Sequence, residues 1–243
     1  MGFISRLLAA TLSALLALSN PSLPFSKHPT DTSGVAEKLQ VLDALGIEFS
    51  EETGLFIEQS IEQWIDEMAA RFTDGEMDFT QFASYPAILS MLGTGKYDEA
   101  THSLIPVTNS VYAFDAECFD IVGAYGDFLI AVSRISNGEI RIDDYHSDVD
   151  MATFEAGKGI QEVTFNFNEK LYHFTAQFYY DWMDCTIIDY VNLILDEQGI
   201  DKRLWCMFDG GQGFVVFYNT TEWAREFSNR TGCALAVKAK GAL

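Results

Sequence analysis

Over residues 34 to 93 apolar side chains recur every three to four positions, and from about residue 108 much of the chain alternates every second position. The first period predicts helices and the second predicts strands. Val35, Leu39, Leu42 and Leu45 form one apolar stripe, opened by Ser33 or Gly34 and stopped by Gly46. Ser50 then stands ahead of Glu51 and Glu52, an N-cap followed by an acidic first turn that suits the positive end of a helix dipole. Along the helix so predicted, Ile57, Ile61, Trp64, Ile65, Met68 and Phe72 share a face, while Glu58, Glu62, Asp66 and Glu67 fall away from it. An aromatic stripe of this kind is core and not a ligand box. "TDGE" closes the region, and "DFTQFASYPAILSMLG" predicts a third helix or two short ones, because Pro86 belongs near a helix start or a kink.

Hairpins and helices mix in the remainder. In "FLIAVSRISNGEIRIDD", Phe128, Ile130 and Val132 alternate with Leu129, Ala131 and Ser133, and Asn137-Gly138 then supplies the dipeptide that a type I′ turn requires. This predicts a hairpin. "EVTFNFNEKLYHFTAQFYY" predicts a second, turning at Asn168 and Glu169 with Val163, Phe165 and Phe167 on one face. In "DWMDCTIIDYVNLILDEQGI" the spacing of Ile187, Ile188, Val191, Ile194 and Leu195 predicts a helix capped by Asp184 and stopped by Gly199. Residues 202–208 and 214–218 alternate as strands around "DGGQG". Those glycines join strand to strand, whereas a phosphate cradle leads from a strand into a helix, and no Lys-Ser or Lys-Thr follows them. The loop therefore reads as a turn. Asn219 with Glu222 reads as a capping box that opens the last helix.

The order of these elements predicts an α+β fold: an antiparallel sheet built from hairpins with helices packed on one face, preceded by a helical N-terminal segment. Residues 1–19 form a signal-like or amphipathic leader, 20–33 a linker rich in Pro and Ser, 34–107 an acidic helical segment and 108–243 the sheet domain. Residues 34–243 as one domain is the alternative division. In the leader, Arg6 precedes an apolar run from Leu7 to Leu18, with Ala17 and Ser19 as small residues ahead of a cut. The run is shorter than the ~20 apolar residues of a spanning helix. Ile4, Leu8, Leu12 and Leu15 also fall near helical spacing, which suits an interfacial anchor or a helix packed on the protein body. The expectation is a protein exported or membrane-associated through residues 1–19, with a cytoplasmic location as the alternative and no integral membrane span.

Charge sharpens the functional reading. The net charge is −21, and residues 31 to 120 hold 18 acidic against three basic side chains. Such a field repels phosphate backbones, so nucleic acid is not an expected partner. A basic protein is. The expectation is a non-enzymatic acidic binding or inhibitor protein, immunity-like, that engages a basic partner through Glu51, Glu58, Glu62, Asp66 and Glu67.

Catalytic chemistry is thin. Cys118, Cys185, Cys206 and Cys233 lack the close spacing of zinc or redox motifs and read as buried thiols, although an exported chain would allow three disulfide pairings. His146 in "DDYHSDVD" is the one histidine with acidic company, so the alternative function is a hydrolase or divalent-metal-dependent enzyme using His146 with Asp144 and Asp148. Asp181 and Asp184 flank Trp182 as a further carboxylate pair, explained more simply by capping. Asn219 and Asn229 match the glycosylation pattern. No metal site and no cofactor are expected.

Overall fold

Ser50 Oγ accepts the backbone N–H of Thr53 at 3.1 Å, and this cap starts the longest of the described helices at the position its sequence predicts. The structure, a computed structural model, describes residues 34–72, 79–118, 120–208 and 212–239. The leader 1–19, the linker 20–33 with His28, the "TDGE" stretch and the glycines of 209–211 lie outside them.

Helix α1 (Val35–Ala44) and helix α2 (Glu51–Arg71) are followed by a 3₁₀ turn (Phe79–Phe82) and helix α3 (Tyr85–Thr94), with Pro86 in its first turn. A ribbon of β1 (Lys96–Asp98) and β2 (Ser103–Ile105) leads to β3 (Tyr112–Asp115) and helix α4 (Ile121–Ile135). Then come β4 (Ile142–Asp148), α5 (Met151–Ala156), β5 (Lys158–Phe167), β6 (Lys170–Tyr179) and α6 (Ile187–Glu197). The hairpin β7 (Arg203–Phe208) and β8 (Gly213–Asn219) and helix α7 (Thr221–Thr231) complete the order. The chain is an α+β protein with an N-terminal helical segment.

Its strands separate into the β1-β2 ribbon and two three-stranded antiparallel sheets, β3-β8-β7 and β4-β5-β6. Burial shows why. β8 is buried on both faces from Phe214 to Tyr218, as befits a central strand covered from both sides. Phe214, Val216 and Tyr218 enter a core shared with α4, α6 and the inner face of β4-β5-β6, where Val163, Phe165 and Phe174 lie. Val215 and Phe217, on the opposite face, meet Leu42, Ile57, Ile88 and Leu92 of the N-terminal helices and Phe227 of α7. Two apolar cores thus lie back to back on one sheet. β5 and β6, by contrast, alternate buried and exposed along their length, because their outer face meets solvent.

The packing of α3 on β3 depends on one glycine. A Cβ added to Gly93 would lie 2.5 Å from the backbone nitrogen of Ala113, so only the missing side chain lets the helix approach this closely.

Three local expectations are corrected. Residues 128–133 are not a hairpin strand but the centre of α4, whose buried stripe runs through Ile121, Tyr125, Phe128, Leu129, Val132 and Ile135 from an Asp120 cap on Gly123. Asn137 and Gly138 do take the positive φ angles of 52° and 84° that a type I′ turn needs, but here they end a helix and lead into β4. At α7 the cap is Thr220, whose Oγ1 accepts from Trp223 N, so Glu222 falls one position short of a capping box and Asn219 ends β8. At α6 the cap position is Thr186, and Asp184 lies two residues upstream. The second hairpin turns as predicted, with Asn168 and Glu169 at φ 48° and 69°.

Candidate functional site

The acidic face of α2 is a helical stripe. Glu51, Glu58, Glu62 and Asp66 are separated by seven, four and four residues, so at 100° per residue they fall within an arc of about 80° along roughly 22 Å of helix. Gly54, Ile57 and Ile61 on another arc anchor the helix in the N-terminal core. Towards its C-terminal end the anchorage is aromatic: Trp64 packs edge-on against Phe82 with centroids 4.8 Å apart. Phe72, at the end of the predicted apolar stripe, is 49% exposed.

Glu51, Glu62, Asp66 and Glu67 are exposed, and Glu58 is half-buried. Glu67 lies off the stripe, where its Oε1 accepts from Gln63 Nε2 at 2.9 Å. No ion pair among the described residues engages any of these five carboxylates. Of the three basic residues of the region, Lys38 is buried with Nζ over the Tyr85 ring, Lys96 Nζ stands over Phe56, and Arg71 occupies the last turn of α2.

His146, Asp144 and Asp148 all lie on β4, an edge strand, and all three are exposed. A bulge between Asp143 and His146 breaks the register, and Asp144 adopts φ 49°. Its Oδ2 accepts from Asn166 Nδ2 at 3.0 Å, while His146 pairs in register with Thr164 and Asp148 with Glu162. One strand further on, His173 Nε2 lies 2.9 Å from Glu162 Oε2. Among the described residues, no three His, Cys, Asp or Glu side chains are grouped so as to hold a metal ion.

Among the described residues Asp184 is the one buried carboxylate, and its acceptor capacity is taken by structure: Gln177 N at 2.8 Å, Thr186 N at 3.0 Å and Thr186 Oγ1 at 2.6 Å. It ties the end of β6 to the start of α6. The signal was present in the sequence as an Asp two residues before a Thr, a local turn pattern and not a catalytic pair. All four cysteines are free thiols. Burial pushes Cys206 and Cys233 up to about 11, and burial reinforced by Asp115, Asp181 and Asp120 does the same for Cys118. Burial raises Cys185 further still. None has the lowered value of a nucleophilic thiolate.

Comparison with protein-family models, curated proteins and solved structures finds no match for this chain. Among the described residues, no helix is long and apolar enough to cross a membrane.

Proposed function

We propose that the chain is a non-enzymatic acidic binding protein, of the inhibitor or immunity kind, whose α2 face engages a basic protein partner. One observation carries the reading: five carboxylates on a helix anchored at its other face have no ion-pair partner among the described residues. Like charges held along a rigid element, four of them in one stripe, repel one another, and a partner that supplies Lys and Arg relieves that repulsion while gaining a complementary surface. The anchoring residues Ile57 and Ile61 fix the helix before a partner arrives, which lowers the ordering cost of binding.

The experiment is affinity capture from the native host by wild-type protein and by the variant Glu58→Lys/Glu62→Lys/Asp66→Lys, at about 50 and 300 mM salt. The reading expects a basic partner retained by the wild type at low salt, released at high salt and lost by a folded variant. A partner held equally by the variant and insensitive to salt overturns it.

A further inference from the structure

At the C-terminal end of α4 lies an open groove of about 540 Å³, lined by Asn109, Ile130, Ser133, Arg134, Asn137 and Ile142 among others. No carboxylate lines it. The acidic residues that flank it in the chain are already paired, Glu139 with Lys202 and Asp143 with Arg141.

Arg134 is half-buried there and donates one hydrogen bond, from Nη1 to Thr108 O at 2.5 Å. It has no ion pair among the described residues, whereas Arg141, Lys170, Lys202, Arg203 and Arg230 each face a carboxylate. Burial pulls its guanidinium below the ordinary arginine value, with Tyr112 acting in the opposite direction. The cation is thus partly stripped of water without a counter-charge. The side-chain amides of Asn109 and Asn137 make no hydrogen bond with the described residues, and both are exposed at the groove. Ile130, 52% exposed, and Ile142, half-buried, supply an apolar wall.

We propose that this groove binds a small organic monocarboxylate, its head on the Arg134 guanidinium and its short apolar body against Ile130 and Ile142. The planar fork of an arginine matches a carboxylate with two parallel hydrogen bonds, and the amides provide further donors. A single negative charge suits the surroundings better than a polyanion, because the net charge of −21 repels each added charge. Asp127, the nearest acidic residue along the same side of α4, is two helical turns away at about 10 Å and does not line the groove. The inference is independent of the α2 reading.

The test is a titration of isotopically labelled protein with sodium butyrate, followed through the Asn109 and Asn137 side-chain amides and the Arg134 Nε–H, with butyramide and inorganic phosphate at matched ionic strength. Saturable shifts with butyrate and none with butyramide are expected. Arg134→Gln removes the binding; because it also removes the bond to Thr108, Asn137→Asp and Ile130→Glu provide exposed substitutions that keep the fold, and each weakens binding at least tenfold. Asp at position 137 also tolerates the positive φ found there. Unmoved resonances, butyramide binding as well as butyrate, equal binding by the Asn137→Asp variant, or phosphate binding more tightly than butyrate each overturn the proposal.

Discussion

Asn192 pairs with Leu204 through both atoms of its amide: Oδ1 accepts from Leu204 N at 2.8 Å, and Nδ2 donates to Leu204 O at 2.9 Å. A side chain of α6 thereby acts as a strand on the open edge of β7, and the same Nδ2 reaches Val237 O at 2.9 Å. Two residues along, the backbone of Ala236 continues the edge, exchanging bonds with Cys206 at 2.8 and 2.9 Å. The edge is thereby covered at Leu204 and Cys206. Asn192 is 7% exposed, so Asn192→Leu leaves buried backbone groups unpaired and lowers stability by about 2–4 kcal/mol, read from the urea midpoint.

Gly93→Ala forces a methyl group against the backbone of Ala113 and Tyr112, where no side chain can yield. The N-terminal helices must lift from β3, at a cost of about 2–3 kcal/mol in urea unfolding. Gly138→Ala meets no atom within 4 Å and is strained only by its φ of 84°, which confines its cost to about 1 kcal/mol.

Self-repulsion among 36 acidic residues sets the salt response. Raising sodium chloride from about 10 to 150 mM shortens the Debye length to ~8 Å and screens the carboxylates of α2, so the thermal midpoint rises. The Glu58→Lys/Glu62→Lys/Asp66→Lys variant shows a smaller rise and a stability within about 0.5 kcal/mol per site of the wild type at the higher salt.

Thiol labelling reports the cysteines, of which Cys185 and Cys206 are buried and Cys118 and Cys233 half-buried. With values near 11 for Cys118, Cys206 and Cys233, the thiolate fraction at pH 8 is on the order of 10⁻³. All four thiols are expected to react with a disulfide reagent at least ~100-fold more slowly in the folded protein than in denaturant. A fast phase from the native state would show that one of them is exposed and activated.

Asp127 gives a pH-dependent effect of known sign. Partial desolvation of an otherwise exposed side chain, and secondly the Asp120 charge, raise its carboxyl above the ordinary 3.8. A carboxyl raised in the folded state favours folding when protonated, and that contribution is present in full below the unfolded value and lost as pH rises through the folded one. Asp127→Asn therefore stabilises the protein at pH 7 and not at pH 3, by well under 1 kcal/mol because the side chain is exposed to solvent. Thermal midpoints of the two proteins at both pH values measure the difference.

Helix α4 shows where periodicity loses its force. Residues 128 to 132 are apolar without interruption, and a short unbroken run carries both a period of two and a period of 3.6. The helix signal lies upstream, in the Asp120 cap and in Ile121 and Tyr125 about one turn apart, where Gly123 and Gly126 dilute the apolar pattern. Asn137-Gly138 is equally two-sided, since stopping a helix and turning a hairpin both call for positive φ. The β5-β6 hairpin escaped this ambiguity because Thr164, Asn166, His173 and Thr175 interrupt its apolar positions at every second residue.

By itself the sequence determined the local elements and the distribution of charge: the Ser50 cap, the apolar stripe of α2, the turn at Asn168-Glu169 and the acidic surface follow from neighbours within a few residues. Tertiary structure decided which strands share a sheet, that β8 is covered on both faces, that Asn192 covers an edge at Leu204 and that Arg134 faces a groove without a carboxylate. The reason is that these depend on groups far apart in the chain, Thr108 and Arg134 or Asn192 and Leu204. Their pairing is settled by shape and hydrogen-bond satisfaction in the folded core, on which a local period carries no information.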